Sequence, residues 1–359
     1  HDVPGFPGLF PFLLNFRAVR ATFGTPSISF HYPPHTQSMS LSLSVMSVVA
    51  AAALCLGCNK ASRSSTLNPT DSLAADSPAM TDAANVEPVR PTWMDSVVYT
   101  PADSAEVERL LAMPLAPDTL DVMQYAMRLV GRPYVGQTLE RHDPEVLIVN
   151  LKELDCATFV ETVLALTTAR REGQTDFDAY CRHLARWRYR QGRPDGYLSR
   201  LHYFTWWSNC HLRQSRLEEV PLPAAGTARR RIACTFMGEH AEAYPMLVAH
   251  PQWADSIKAL ERAENGDTVT YLKKEATGWG RKALPTIQDG DIIAILTSKK
   301  GLDYAHLGFA KWGRDGRLHL LNASMLYHRV VLDEVPLETY LSKHPSFIGI
   351  RLFRLKRAE

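Results

Sequence analysis

The sequence lacks an excess of charge of either sign: 40 Lys and Arg face 38 Asp and Glu, a formal net charge of +2. That removes the electrostatic argument for a nucleic acid or a strongly acidic partner. It also lacks a long apolar run. The one stretch of interest, Val45 to Gly57, is shorter than the roughly 20 residues a membrane-spanning helix needs. There is no internal repeat, and no close cysteine pair beyond residue 58. Cys156, Cys181, Cys210 and Cys234 are separated by 25, 29 and 24 residues, which excludes the usual zinc frameworks. No metal or other cofactor is expected. A disulfide among Cys181, Cys210 and Cys234 stays open.

What is present is an ordinary globular composition, 45% hydrophobic and 22% charged over 359 residues, enough for a sizeable core. The front end reads as a leader over 1–58. Residues 1–38 show no periodicity and hold breakers such as Pro4-Gly5 and Pro33-Pro34. Met39 opens a leader of normal length, so 1–38 are read as outside the natural product. The apolar run ends in Leu54-Cys55-Leu56-Gly57-Cys58, which resembles a bacterial lipoprotein cleavage box. Lipidation of Cys58 would anchor an exported, periplasmic protein to a membrane; a plain secretory signal is the alternative. Residues 59–100 are read as a flexible tether, mostly Ser, Thr, Asn, Asp, Ala and Pro as far as residue 90. Residues 101–359 are read as one catalytic domain.

Within that domain helices come first. Asp103 with Glu106 reads as a capping pattern before Val107, Leu110 and Leu111. A second helix is expected over Leu120 to Val130, stopped by Gly131-Arg132-Pro133. A third opens near Cys156 and ends at Gly173, and a fourth carries Tyr180, Leu184 and Trp187. Strands follow: Ile292–Leu296, residues 305–312, Leu318–Ala323, Arg329–Leu332 and Phe347–Leu355. Asp315-Gly316 between two of them is a hairpin signal. Cys234 falls in a further strand-like run, Arg231–Phe236. Helices first and antiparallel strands later argue an α+β fold.

Cys156 follows Asp155 at a helix start, where unpaired N–H groups and the macrodipole favour a thiolate. His306, inside the 305–312 strand, is the best candidate base. Setting Lys311 opposite Arg317 across the turn puts His306 opposite Asn322. An amide there would orient one ring nitrogen and turn the other toward the thiol, the Cys–His–Asn logic. His319 lies on the other face of the strand. Asp291 reads as a turn-fixing residue.

Leu154-Asp155-Cys156-Ala157-Thr158-Phe159-Val160, Gly290-Asp291, His306-Leu307-Gly308-Phe309 and Leu321-Asn322-Ala323-Ser324 together resemble the NlpC-type cell-wall cysteine hydrolase superfamily. That superfamily often has His where Asn322 stands. Gly131–Gly136 and Ser199–Trp207 narrow the resemblance to its N-acetylmuramoyl-L-alanine amidase-like branch found in Bacteroidales. The resemblance implies a papain-like fold with a long insertion, 150 positions from Cys156 to His306. It implies peptidoglycan as substrate and acyl transfer through a thioester on Cys156. Tyr134 becomes a candidate second oxyanion donor and Asp155 a cap or substrate contact. His202 and Tyr203 are expected to line the cleft, and Arg200, Trp206 and Trp207 to contact substrate. The alternatives are a stem-peptide endopeptidase, a thioester-using acyltransferase, and a catalytically dead protein that only binds cell wall.

Overall fold

A computed structural model describes residues 90–116 and 121–357. The leader, Cys58 and the polar stretch up to residue 89 lie outside the described residues. The expected tether does not extend to residue 100. Met94 is buried, Arg90 pairs with Asp178, and Val98 forms a bridge with Ile148. The apolar residues Trp93, Met94, Val97 and Val98 give this stretch something to bury, unlike the segment before it.

Helix α1 (Pro101–Ala112) starts earlier than the Asp103–Glu106 pattern implies. Thr100 is the cap and Asp103 completes the box from the third helical position, with Pro101 at the first turn. The other Asp103 oxygen accepts from the Leu151 N–H at 3.0 Å, tying α1 to the segment that leads into Cys156. Helices α2 (Asp121–Arg128), α3 (Cys156–Arg171) and α4 (Phe177–Arg188) fall where the sequence places them. Helix α3 is the hub: 13 of its 16 residues are buried, since α1, α2 and α4 cover one side and the sheet the other. A helix enclosed on all sides shows no polar stripe.

The long insertion supplies α5 (Phe204–Arg213), β1 (Leu217–Glu219), β2 (Thr227–Arg231), α6 (Phe236–Glu239), α7 (Pro245–Ala249), α8 (Trp253–Glu264) and β3 (Thr268–Lys273). Then come β4 (Ile292–Thr297), β5 (Tyr304–Trp312), β6 (Leu318–Ser324), β7 (Arg329–Leu332), α9 (Leu337–Ser342) and β8 (Phe347–Leu355). Cys234 is not in a strand. β2 stops at Arg231, and the side chain of Asn265 bonds both the N–H and the C=O of Cys234, replacing a ladder.

The strands form one antiparallel sheet in the order β2-β3-β8-β4-β5-β6-β7, with β1 also on β8. β4 is buried on both faces. Ile292, Ala294 and Leu296 join the core under α3, while Ile293 and Ile295 join a second core with Leu337 and Leu341 of α9. That double burial explains its unbroken apolar run. Asp291 fixes the turn before β4 by accepting from the Gln288 N–H at 2.7 Å, and it also pairs with Arg354.

The β5–β6 register differs from the expected one by two residues. Lys311 faces His319, not Arg317. Arg317 belongs to the turn: its carbonyl accepts from Gly313 and its N–H donates to Asp315. A slip of two keeps every side chain on its face. Asn322 and His306 therefore stay on one side of the sheet, as a diagonal pair instead of a direct one.

Candidate active site

The site begins at the N-terminus of α3. Asp155 caps the helix through its carboxylate, which accepts from Ala157 N–H at 3.1 Å and Thr158 N–H at 2.8 Å, and Thr158 Oγ1 returns a bond to the Asp155 N–H. This capping box fixes Cys156 as the first helical residue. Phe159, one turn on, packs edge-to-face on Phe309 of β5 with ring centroids 5.5 Å apart. The helix start is thereby pressed onto β5, and the Cys156 sulfur meets the backbone N–H of Leu307, next to His306.

His306 Nε2 lies 2.8 Å from Asn322 Oδ1. Gly308 makes the diagonal approach possible. A Cβ there would stand 2.5 Å from the Leu321 carbonyl oxygen and 3.1 Å from Asn322 Cβ. Asn322 is fully buried, and its amide nitrogen donates to Asp333 Oδ2 at 3.2 Å. Asp333 lies just past β7, is buried, and escaped the sequence reading. Tyr340 of α9 was also missed; its ring centroid is 6.3 Å from that of His306. Neither carries a motif, and only the sheet order brings them to the site.

Tyr134 does reach the site. It sits in a short bridge with Leu154, two residues before the cysteine, and its hydroxyl is close enough to feel a charge on Cys156. Burial together with that charge raises the pKa of Tyr134, and burial with the charges of Asp333 and Cys156 does the same for Tyr340. Both are O–H donors at any working pH.

Burial works against the expected thiolate. Burial first, and the neighbouring Asp155 carboxylate second, push the Cys156 thiol well up. The N–H groups of Leu307, Cys156 and Ala157 oppose that shift but do not cancel it. Burial also lowers His306, to about 4, against the bond from Asn322. Both shifts favour a neutral thiol and a neutral imidazole in the resting pair. The protein should hold a flat activity plateau from about pH 5 to 8, with the acid limb displaced toward His306's value of about 4. Alkylation of Cys156 should be slow at neutral pH and still rising at pH 9. Alkylation that levels off below pH 7, with an alkaline limb in the pH–rate profile where an imidazolium loses its proton, would mean an ion pair instead, and an acid limb at about 6 to 7 would mean an unshifted imidazole base.

Several sequence candidates lie elsewhere. His202 is buried, bonded through Nε2 to the Tyr197 carbonyl at 2.8 Å, and does not line the cleft. Tyr203 is buried too: its hydroxyl donates to Glu261 at 2.7 Å and accepts from the Met237 N–H at 2.8 Å. Trp206 is fully enclosed, under Arg190 at 4.8 Å, and Trp207 stacks on Phe204 and Trp187, so neither offers a free face to a sugar. Their spacing is that of the buried side of α5. His319 is held on the other side by Asp333's carbonyl and by Asp315. All four cysteines of the domain are free and buried. Among the described residues no cluster of three His, Cys, Asp or Glu could hold a metal ion.

Arg200 is not an exposed substrate arm. It is buried between Glu140 (2.8 Å) and Glu145 (3.0 Å), over the ring of Tyr197. Nearby, buried Arg188 pairs with Glu161 of α3 at 2.8 Å and donates to the Ile148 carbonyl. Asp155, Glu161, Arg188 and Arg200 together line a polar cleft beside the first turn of α3.

A thiol at a helix start, facing a strand whose histidine is oriented by a buried amide, is the equipment of a nucleophile acting on an acyl group. The chain belongs to the N-acetylmuramoyl-L-alanine amidase-like family, whose model matches residues 124–350 and so spans the whole site. A crystal structure of an N-acetylmuramoyl-L-alanine amidase from Bacteroides uniformis is 37% identical, with a TM-score of 0.61, over 66% of this chain and 98% of that one. A Bacteroides fragilis protein named as a candidate xylanase is also 37% identical, with a TM-score of 0.59, over 64% and 99%. A Legionella pneumophila protein at 20% identity and a TM-score of 0.54 shares the fold over 70% and 94%. No curated protein matches the chain.

Proposed function

We propose that the protein is a cysteine-dependent peptidoglycan hydrolase of papain-like, NlpC-type architecture, cutting the amide between the muramoyl lactyl group and the stem-peptide L-alanine. One observation carries the reading: the bond from His306 to Asn322 on the strand whose Leu307 N–H meets the Cys156 sulfur. With Nε2 engaged by Asn322, Nδ1 is the nitrogen that takes the thiol proton. The sulfur then attacks the amide carbonyl, the oxyanion takes hydrogen bonds from the Cys156 N–H and the Tyr134 hydroxyl, and the amine leaves with the proton from His306. Water, deprotonated by His306, resolves the thioester.

Hydrolysis of a glycosidic bond fits the site poorly. That chemistry needs two carboxyl groups flanking the bond, whereas Asp155 is committed to the helix cap and Asp333 lies behind Asn322. An endopeptidase of the same architecture would use the same three residues. Mass spectrometry of digested peptidoglycan separates the two: glycan free of peptide with intact stems is the expected result, and shortened stems still joined to muramic acid would replace the amidase reading with the endopeptidase one.

A further inference from the structure

We propose that Asp333 is a positioning residue of this site: its carboxylate fixes which way the Asn322 amide points and, through it, which nitrogen of His306 carries the proton. The proposal rests on the reading of Cys156 and His306 as nucleophile and base.

The two ends of an asparagine amide are nearly equal in size, so its orientation is set by what each end meets. Asn322 is fully buried, and water cannot help either end. Its nitrogen faces two acceptors, Asp333 Oδ2 at 3.2 Å and the Leu320 carbonyl at 3.5 Å. A flipped amide would set oxygen against oxygen at both. The held orientation gives Oδ1 to His306 Nε2 at 2.8 Å, which accepts only from Nε2–H and leaves Nδ1 as the basic nitrogen. The flipped amide would donate to Nε2, move the ring proton to Nδ1, and remove the base.

Asp333 is itself held in place. Its N–H donates to the Leu320 carbonyl at 2.9 Å and its own carbonyl accepts from His319 Nδ1 at 2.9 Å, while the Tyr327 hydroxyl stands beside its carboxylate. A carboxylate only 2% exposed costs stability, and a leucine would fill the space more cheaply. Its most direct use is the amide it faces.

The test compares Asp333→Leu, Asp333→Asn, Asn322→Asp and the exchange Asn322→Asp/Asp333→Asn in the full chain. The readouts are muropeptide turnover and the ring-nitrogen NMR signals of His306. Asp333→Leu should lower kcat by about 10- to 100-fold, as loss of an outer-shell partner does, with KM little changed and the Nε2–H signature mixed with Nδ1–H. Asp333→Asn keeps an acceptor oxygen and should restore most of both. The exchange variant needs no amide orientation, because either carboxylate oxygen at 322 accepts from Nε2–H. It should be at least as active as Asn322→Asp alone, and this comparison decides the matter if Asp333→Leu does not fold. Wild-type kcat and an unmixed Nε2–H signature in Asp333→Leu, or an exchange variant less active than Asn322→Asp, would overturn the proposal. Turnover surviving Cys156→Ala would instead overturn the reading beneath it.

Discussion

His306→Ala should leave a folded protein with almost no turnover. Loss of a general base alone costs typically about 10²–10⁴-fold. Here the loss should lie at the upper end, because burial favours the protonated Cys156 thiol and the proposed route gives its proton to His306. In a protein with a preformed thiolate the first proton transfer is already done, and removing the histidine spares part of the first step. Asn322→Ala should be milder, since the amide orients the ring without touching the proton, and Asn322→His should keep much of the rate. Steady-state kinetics on a muropeptide, with circular dichroism to verify folding, checks both. Equal losses in His306→Ala and Asn322→Ala would show that the amide does more than orient.

The largest effect on stability is expected at Arg200. Arg200→Ala strands Glu140 and Glu145 in a buried setting with no guanidinium between them. Breaking a buried pair from one side costs about 3–5 kcal/mol, because the remaining charge is uncompensated. For a domain of this size that corresponds to a fall in Tm on the order of 10 °C. Glu145 is already pushed up by burial, with Arg200 as its main counterweight. The loss should therefore shrink as pH is lowered and Glu145 becomes protonated. Thermal melts at pH 7 and pH 5 test this: a Tm unchanged by more than about 2 °C at pH 7 would mean that the cleft is open to water and the arginine is free for ligand.

Much of this architecture could be read from the sequence. Helix α3 was legible because a capping residue precedes it and glycine follows it, and β4 because five apolar residues run together. The pairing of His306 with Asn322 was legible because the face of a strand residue depends only on parity. The same reasoning mislocated the pairing by two residues, since the role of Arg317 in the turn depends on an Asp315 bond that no pattern announces. The residues between Cys156 and β4 were harder. Trp206, Trp207, His202 and Tyr203 look like a binding motif as a string, yet they are the buried side of α5 and of the segment leading into it. Aromatic and histidine side chains serve a core and a cleft equally well, and only the packing of the insertion decides. Asp333 and Tyr340 had no local signal at all.

The two halves of the proposed catalytic pair are mounted on different kinds of support. β5 is hydrogen-bonded to β4 on one side and β6 on the other, while α3 is wrapped by three helices and the sheet. Both residues sit near the ends of their elements, but those ends are pinned: the Asp155 capping box closes the first turn of α3, and His306 pairs with Ile295 of β4. Local opening, which ordinarily lets a protein lose activity well before it loses its fold, should therefore be costly at this pair. Heat inactivation and loss of the folded state should then be one event, and the molecule stays fully competent until it fails as a whole.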